Sequence, residues 1–213
     1  MRTAPIYGNP PQVIGPINIY PEESLFCLYL PIKLPYSAMA IPPTFRQFNK
    51  IIDAVRHHEA AHIWTESYVY LTAKHVWVEE GAPGNRPGWH ADGFLTNDRN
   101  YVWYDMNPTE FWEPDFRVAF EADHNKSLPE MEERVSASNA FIKTYSNKLL
   151  LRLDETVIHR VNPAPKAGFR TFVKVSVSDQ IYALKRNSIN HMIDTDWKYA
   201  ERTAERNNPA GQT

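Results

Sequence analysis

Apolar and polar positions alternate with a period of two over several stretches of this chain, and each such stretch predicts a strand with one buried face. The alternation is clear at residues 68–78, where Val69, Leu71 and Ala73 oppose Tyr70, Thr72 and Lys74. It returns at 157–161, where Val157, His159 and Val161 share one face, and at 169–177, which places Arg170 and Phe172 on one face, while 100–105 and 149–153 are further predicted strands. Shorter strands are predicted at 24–30 and 116–122. The period changes to that of a helix at 44–58, where Phe45, Phe48, Ile51, Ile52 and Val55 recur behind Thr44 as N-cap. Ser127-Leu-Pro-Glu130 has the form of a capping box, opening a helix through Met131 and Val135 to Phe141. A last helix is predicted over 192–206, followed by a loose tail at 207–213.

These elements predict a mainly β protein with flanking helices, folded as a single domain over residues 1–213. Residues 1–43 form a proline-rich arm, 44–62 a helix, 66–180 the β core with a helical insert near 127–142, and 192–206 the C-terminal helix. Proline is abundant, at 17 residues of 213, and its crowding between Pro5 and Pro43 favours an extended, wrapped arm over regular structure. The 6 Trp, 11 Tyr and 10 Phe suit a sheet-rich fold.

Charge and cysteine content narrow the function classes. The net charge of −2 hides an asymmetry: from Lys143 onward 12 basic residues stand against 7 acidic ones, while the preceding part has 11 against 18. That is too weak for the basic stripe of a duplex-DNA binder and reads as solvated surface, with mild attraction for an anionic substrate. No apolar run is long enough to span a membrane, and the first residues lack the charged-then-apolar form of a secretory signal. The lone Cys27 has no partner for an internal disulfide. A cytoplasmic setting is the expectation.

Two segments carry candidate chemistry. His58-Glu59-Ala60-Ala61-His62 matches the pattern in which two histidines on one helix face bind zinc and the glutamate acts as general base. The chain turns β-like directly afterwards and leaves Glu79 or Glu80 as the third ligand. The second segment is His90-Ala91-Asp92, delivered by the Gly/Pro-rich loop 81–88. On a strand, positions i and i+2 share a face, so His90 and Asp92 point together. On a helix they would lie roughly 200° apart, at ~100° per residue. His159, 67 residues after Asp92, supplies a second imidazole from another strand. Two histidines and one carboxylate form one face of an octahedral ion and leave open positions, which suits non-haem Fe(II). Arg170, on the following strand, is a guanidinium that wants a carboxylate if buried.

Together, His90-x-Asp92, His159-Arg160-Val161-Asn162-Pro163 and Gly168-Phe169-Arg170 resemble the 2-oxoglutarate- and Fe(II)-dependent dioxygenase superfamily. The likeness covers residues 68–178, about half the chain. It implies a double-stranded β-helix, the jelly-roll barrel shared with cupins. It also implies Fe(II) held by His90, Asp92 and His159, with Arg170 binding the far carboxylate of 2-oxoglutarate. The implied activity hydroxylates or otherwise oxidises an organic substrate and converts 2-oxoglutarate to succinate and CO2. One position departs from the pattern: Phe172 stands where many members carry Ser or Thr. The rival readings are a zinc metallohydrolase using His58, Glu59 and His62, and a cupin-like isomerase or binding protein without redox chemistry. A small molecule is the default substrate, ahead of a peptide or nucleobase. Trp89, Trp103 and Tyr104 are candidates either for pocket walls or for core.

Overall fold

The computed structural model describes residues 5–85 and 87–201. In chain order the elements are β1 (Gln12–Pro16), β2 (Leu25–Lys33), a 3-10 turn (Pro43–Phe48) leading into α1 (Asn49–His58), then α2 (Ala61–Glu66), β3 (Tyr68–Val78) and β4 (His90–Ala91). They continue with β5 (Arg99–Tyr104), β6 (Glu110–Trp112), α3 (His124–Ser136), a 3-10 turn (Asn139–Phe141), β7 (Ile142–Thr144), β8 (Leu149–Leu153), β9 (Ile158–Arg160) and β10 (Gly168–Ser178). The protein is mainly β. A six-stranded sheet runs β1-β8-β5-β10-β3-β2 and a four-stranded sheet β4-β9-β6-β7, with antiparallel neighbours throughout. This is a sandwich of jelly-roll-like class. No strand pairing joins the two sheets among the described residues, so the expected barrel is not closed.

Strand alternation builds four layers. On β10, Val173, Val175 and Val177 face outward and pack with Val69, Leu71 and Ala73 of β3 against Phe48, Ile51, Ile52 and Val55. Each of those last four side chains is fully buried, and each such burial contributes up to about 1.5–3 kcal/mol. The opposite face of the large sheet meets the small one through Val102, Tyr104, Phe111 and Leu151. Beyond the small sheet, Ala91, Trp112 and Ile158 pack with Met131 and Val135 of α3. The predicted strands at 68–78 and 169–177 therefore have their expected faces, and strands also form at the predicted 100–105 and 149–153.

Five expectations need correction. The proline-rich arm is not merely wrapped chain: it supplies β1 and β2, the two edge strands of the large sheet. The capping box does not open α3, which starts earlier with Asp123 as N-cap accepting from the Asn125 amide at 2.9 Å. Ser127 is buried inside the first turn, its amide on the Asp123 carbonyl, and Pro129 sits within the helix. Thr44 is not a cap, because the 3-10 turn starts at Pro43. The stretch 116–122 contributes only an isolated bridge, Val118 to Tyr7. Residues 192–201 form no helix: they run irregularly to a bridge between Leu184 and Ala200. The rest of that predicted helix, 202–206, and the tail lie outside the described residues. Among the described residues no helix is long and apolar enough to cross a membrane.

Candidate metal centre

The register of two short strands creates the site. On β4 and β9, His90 pairs directly with His159 and Ala91 with Ile158. Because side chains alternate across a sheet, Ala91 and Ile158 turn outward to α3 while both imidazoles turn into the sandwich. Their ring centroids lie 4.6 Å apart. Each ring is oriented by its own strand: His90 Nδ1 donates to the Gly88 carbonyl at 2.9 Å, and His159 Nδ1 to that of Val157 at 3.2 Å. Carbonyls only accept, so both Nδ1 atoms carry the proton and Nε2 is the acceptor nitrogen of each ring.

Asp92 completes the cluster, its Oδ2 standing 3.8 Å from His159 Nε2. One ligand atom from each of His90, Asp92 and His159 lies within 4.8 Å of the others. Among the described residues this is the one group of three His, Cys, Asp or Glu side chains placed to hold a metal ion. Two imidazoles oriented by backbone bonds and one carboxylate fit a divalent ion with open positions.

The approach to the cluster is fixed from outside. Gly88 has φ +91°, in the left-handed region that favours glycine, where the chain turns into Trp89-His90. Glu132 of α3 accepts from the Trp89 amide at 3.2 Å. The Arg160 guanidinium stacks on Trp89 at 4.5 Å and pairs with Glu110 at 2.7 Å. Trp89 is thus a core side chain beneath α3, not a pocket wall; Trp103 packs on the helix side and Tyr104 in the core between the sheets.

Lys174 was not singled out by the sequence reading, yet it touches the cluster directly. Its ammonium donates to Asp92 Oδ2 at 2.9 Å and to the Tyr29 hydroxyl at 3.0 Å. Burial alone would lower its pKa, but Asp92 and then Tyr29 outweigh that and raise it. Burial likewise works against the Asp92 carboxylate, and Lys174 above all, then His159 and His90, hold it well below the ordinary range. The His159 imidazole is pushed down to about 4 by burial and then by His90, against the opposing pull of Asp92. Its signal was available in the sequence: the rule that put Arg170 and Phe172 on one face also puts Lys174 there, a charge on the inward face of a valine-rich strand. Tyr29 had no such signal. It sits at a bulge in β2, with φ +46°, where the register with β3 shifts.

The cluster opens into a cavity of about 350 Å³ whose apolar walls include Leu28, Val102, Val161 and Phe172. Lys74 and Asn85 also line it. Arg170 does not. Its Nε donates to the Met106 carbonyl at 3.1 Å and its guanidinium stacks 5.3 Å from the Phe172 ring. The expected carboxylate anchor therefore supports the 106–107 turn instead.

The His58-Glu59-x-x-His62 reading also changes. α1 ends at His58, and Glu59 and Ala60 are extended, with ψ of 144° and 138°. The two histidines consequently share no helix face. His58 Nδ1 lies 2.7 Å from the Tyr101 hydroxyl, while Glu59 accepts from that hydroxyl at 2.7 Å and sits 3.7 and 3.8 Å from Arg99 and Arg152. This is a buried-carboxylate junction between helix and sheet.

Searched against protein-family models and curated proteins, the chain matches neither a family model nor a curated protein.

Proposed function

We propose that this protein is a non-haem Fe(II) oxygenase that uses 2-oxoglutarate as co-substrate and oxidises a small organic molecule. On this reading the sandwich is a double-stranded β-helix of cupin-like connectivity. The observation that carries it is the cross-strand pair His90 and His159 with Asp92 beside them, one ligand atom of each lying within 4.8 Å of the others at the end of a cavity. Harder or softer donor sets would suggest other ions; two imidazoles and one carboxylate with open positions suit Fe(II).

When bound, Fe(II) would supply the oxygen-dependent redox chemistry that no side chain provides. The chain's own part is to hold and orient. His90, Asp92 and His159 would be the ligands. Lys174 keeps Asp92 ionised and fixes one of its oxygens. The walls formed by Leu28, Val102 and Val161 exclude water and leave room for an organic substrate.

Anaerobic titration with Fe(II) and then 2-oxoglutarate tests the proposal. A visible charge-transfer band is expected in the wild type and is expected to vanish in His90→Ala. Absence of the band in the wild type, with the metal bound, would remove 2-oxoglutarate from the proposal; absence of metal binding would remove the oxygenase altogether.

A further inference from the structure

A column of aromatic rings leads away from the cavity on the side of Tyr29, and its use rests on the metal centre proposed above. Period-two alternation on β3 puts Tyr68 and Tyr70 on the inward face that also carries Thr72 and Lys74. The bulge in β2 turns Tyr29 toward them, and the segment after β10 adds Tyr182 and Trp197. Tyr29 lines the cavity and meets Lys174, the partner of Asp92. Its ring stacks on Tyr182 at 4.9 Å between centroids, and Tyr182 meets Tyr70 edge-on at 5.1 Å. Tyr70 continues to Tyr68 at 6.2 Å and to Trp197 at 6.5 Å, and those two lie 5.9 Å apart. Tyr29, Tyr70 and Tyr182 are buried, whereas Tyr68 and Trp197 are half-buried. The column therefore runs from cavity to surface with every step inside the range of aromatic contact.

Packing alone does not ask for phenols. A phenol or an indole also gives up an electron more readily than an aliphatic side chain, and electron tunnelling is fastest between rings that touch. Oxidation of a phenol further needs a base to take its proton, and Tyr182 has one. Its hydroxyl donates to Asp98 Oδ2, and the Ser178 hydroxyl donates to Oδ1 at 2.5 Å. Both oxygens accept, so Asp98 stands as a carboxylate, and burial, which raises its pKa, makes it a stronger base.

We infer that this column is an electron path that drains an oxidant formed at the metal when the cavity holds no organic substrate, and that it passes the electron deficit to Trp197 and Tyr68. Tyr182 gives up an electron through Tyr29 and its proton to Asp98. An electron then arrives from Trp197 through Tyr70, the proton returns from Asp98, and Trp197 sheds its indole proton to solvent. A small thiol at the surface restores Trp197 by giving up one electron and one proton. With hydrogen peroxide as the source of oxidant, one electron comes from Fe(II), which becomes Fe(III), and one from Trp197. The O–O bond breaks, and two protons, one balancing that shed by Trp197 and one drawn from solvent, complete two water molecules.

The experiment loads the full chain anaerobically with Fe(II), adds one equivalent of hydrogen peroxide without organic substrate, and traps protein radicals with a nitroso compound. Freeze-quench electron paramagnetic resonance identifies the radical, and peptide mass mapping locates the adduct. Titration with Co(II), followed by its visible spectrum, checks that each variant keeps the centre. In the wild type the adduct should fall on Trp197 and Tyr68, several-fold above Trp77, which is 54% exposed and reports attack from solvent. Tyr182→Phe keeps the ring but removes the proton exit, and should move most of the adduct back to Tyr29. Trp197→Phe, changed at the half-buried end, should leave the adduct on Tyr68 with a tyrosyl spectrum. The inference is overturned if wild-type adducts are absent or confined to Tyr29, or if Trp77 is labelled as heavily as Trp197. It is also overturned if Tyr182→Phe, folded by circular dichroism, labels as the wild type does, or if Trp197→Phe leaves Tyr68 unlabelled. A wild type that binds neither ion overturns the metal reading and this inference together, whereas each of the preceding outcomes leaves the metal reading standing.

Discussion

Lys174 reaches from the middle of the large sheet to within 2.9 Å of Asp92 Oδ2, a residue carried by the loop after β4 of the opposite sheet. The two side chains are 8% and 19% exposed, so each is the other's main compensation for burial. Removing the ammonium leaves a poorly solvated carboxylate. Lys174→Met is expected to lower the stability of the metal-free protein by about 3–5 kcal/mol, the range for breaking one half of a buried pair. Saturating Co(II) should recover part of that loss, since a ligand of the native state alone stabilises it. Urea denaturation with and without Co(II) measures both; a metal-free Lys174→Met as stable as the wild type would show that the pair contributes nothing.

The His159 imidazole provides a pH test. Its ordinary pKa of 6.5 falls to about 4 in the fold. Between those values the unfolded chain binds the proton and the native one does not, so stability rises with pH across that window. It is complete above about pH 6.5 and is lost as pH falls toward 4, by at most about 3 kcal/mol. His159→Gln should flatten this part of the stability profile. Urea midpoints of the metal-free proteins at pH 7 and 4.5 give the comparison, and an equal drop in both would assign the dependence to other groups.

Gly93 follows Asp92 at φ +75°, and an added Cβ would come 2.8 Å from the Asp98 Cβ. Gly81 has the same φ with open space around it. Gly93→Ala should therefore cost about 1–3 kcal/mol, from strain plus contact, and weaken Co(II) binding by displacing Asp92. Gly81→Ala should cost about 1 kcal/mol and leave Co(II) binding intact. Equal effects of the two on Co(II) affinity would mean that the Gly93 turn does not position the carboxylate.

Metal stoichiometry distinguishes the two histidine motifs. His58→Ala and His62→Ala should each retain one equivalent of Co(II), whereas His90→Ala and His159→Ala should each lose it. Retention in His159→Ala, or loss in His58→Ala, would relocate the centre.

Strand faces were legible in the sequence wherever alternation was long. The i, i+2 rule correctly placed Val173, Val175 and Val177 opposite Phe172 and Lys174; His90 and Asp92 do meet, but through the turn that follows the two-residue β4 and not as neighbours on one strand face. Helix boundaries were less legible, because a capping box at Ser127 competed with Asp123 four residues earlier, and nothing local chose between them. Arg170 shows a different limit. Its strand face was right, but spacing says nothing of where a long side chain ends, and the Met106 carbonyl received it. Tyr29 reaches the cavity only because a bulge in β2 turns it there, which depends on pairing with β3 and not on the β2 sequence alone.

Because His90 and His159 are directly opposed in one two-residue ladder, the centre exists in a single register. A slip by one residue would turn one imidazole out beneath α3 and bring Ala91 or Ile158 inward. β4 is too short to guard against such a slip by pairing alone. An ion bound at the centre would stabilise only the correctly aligned chain, acting as a proofreader of assembly.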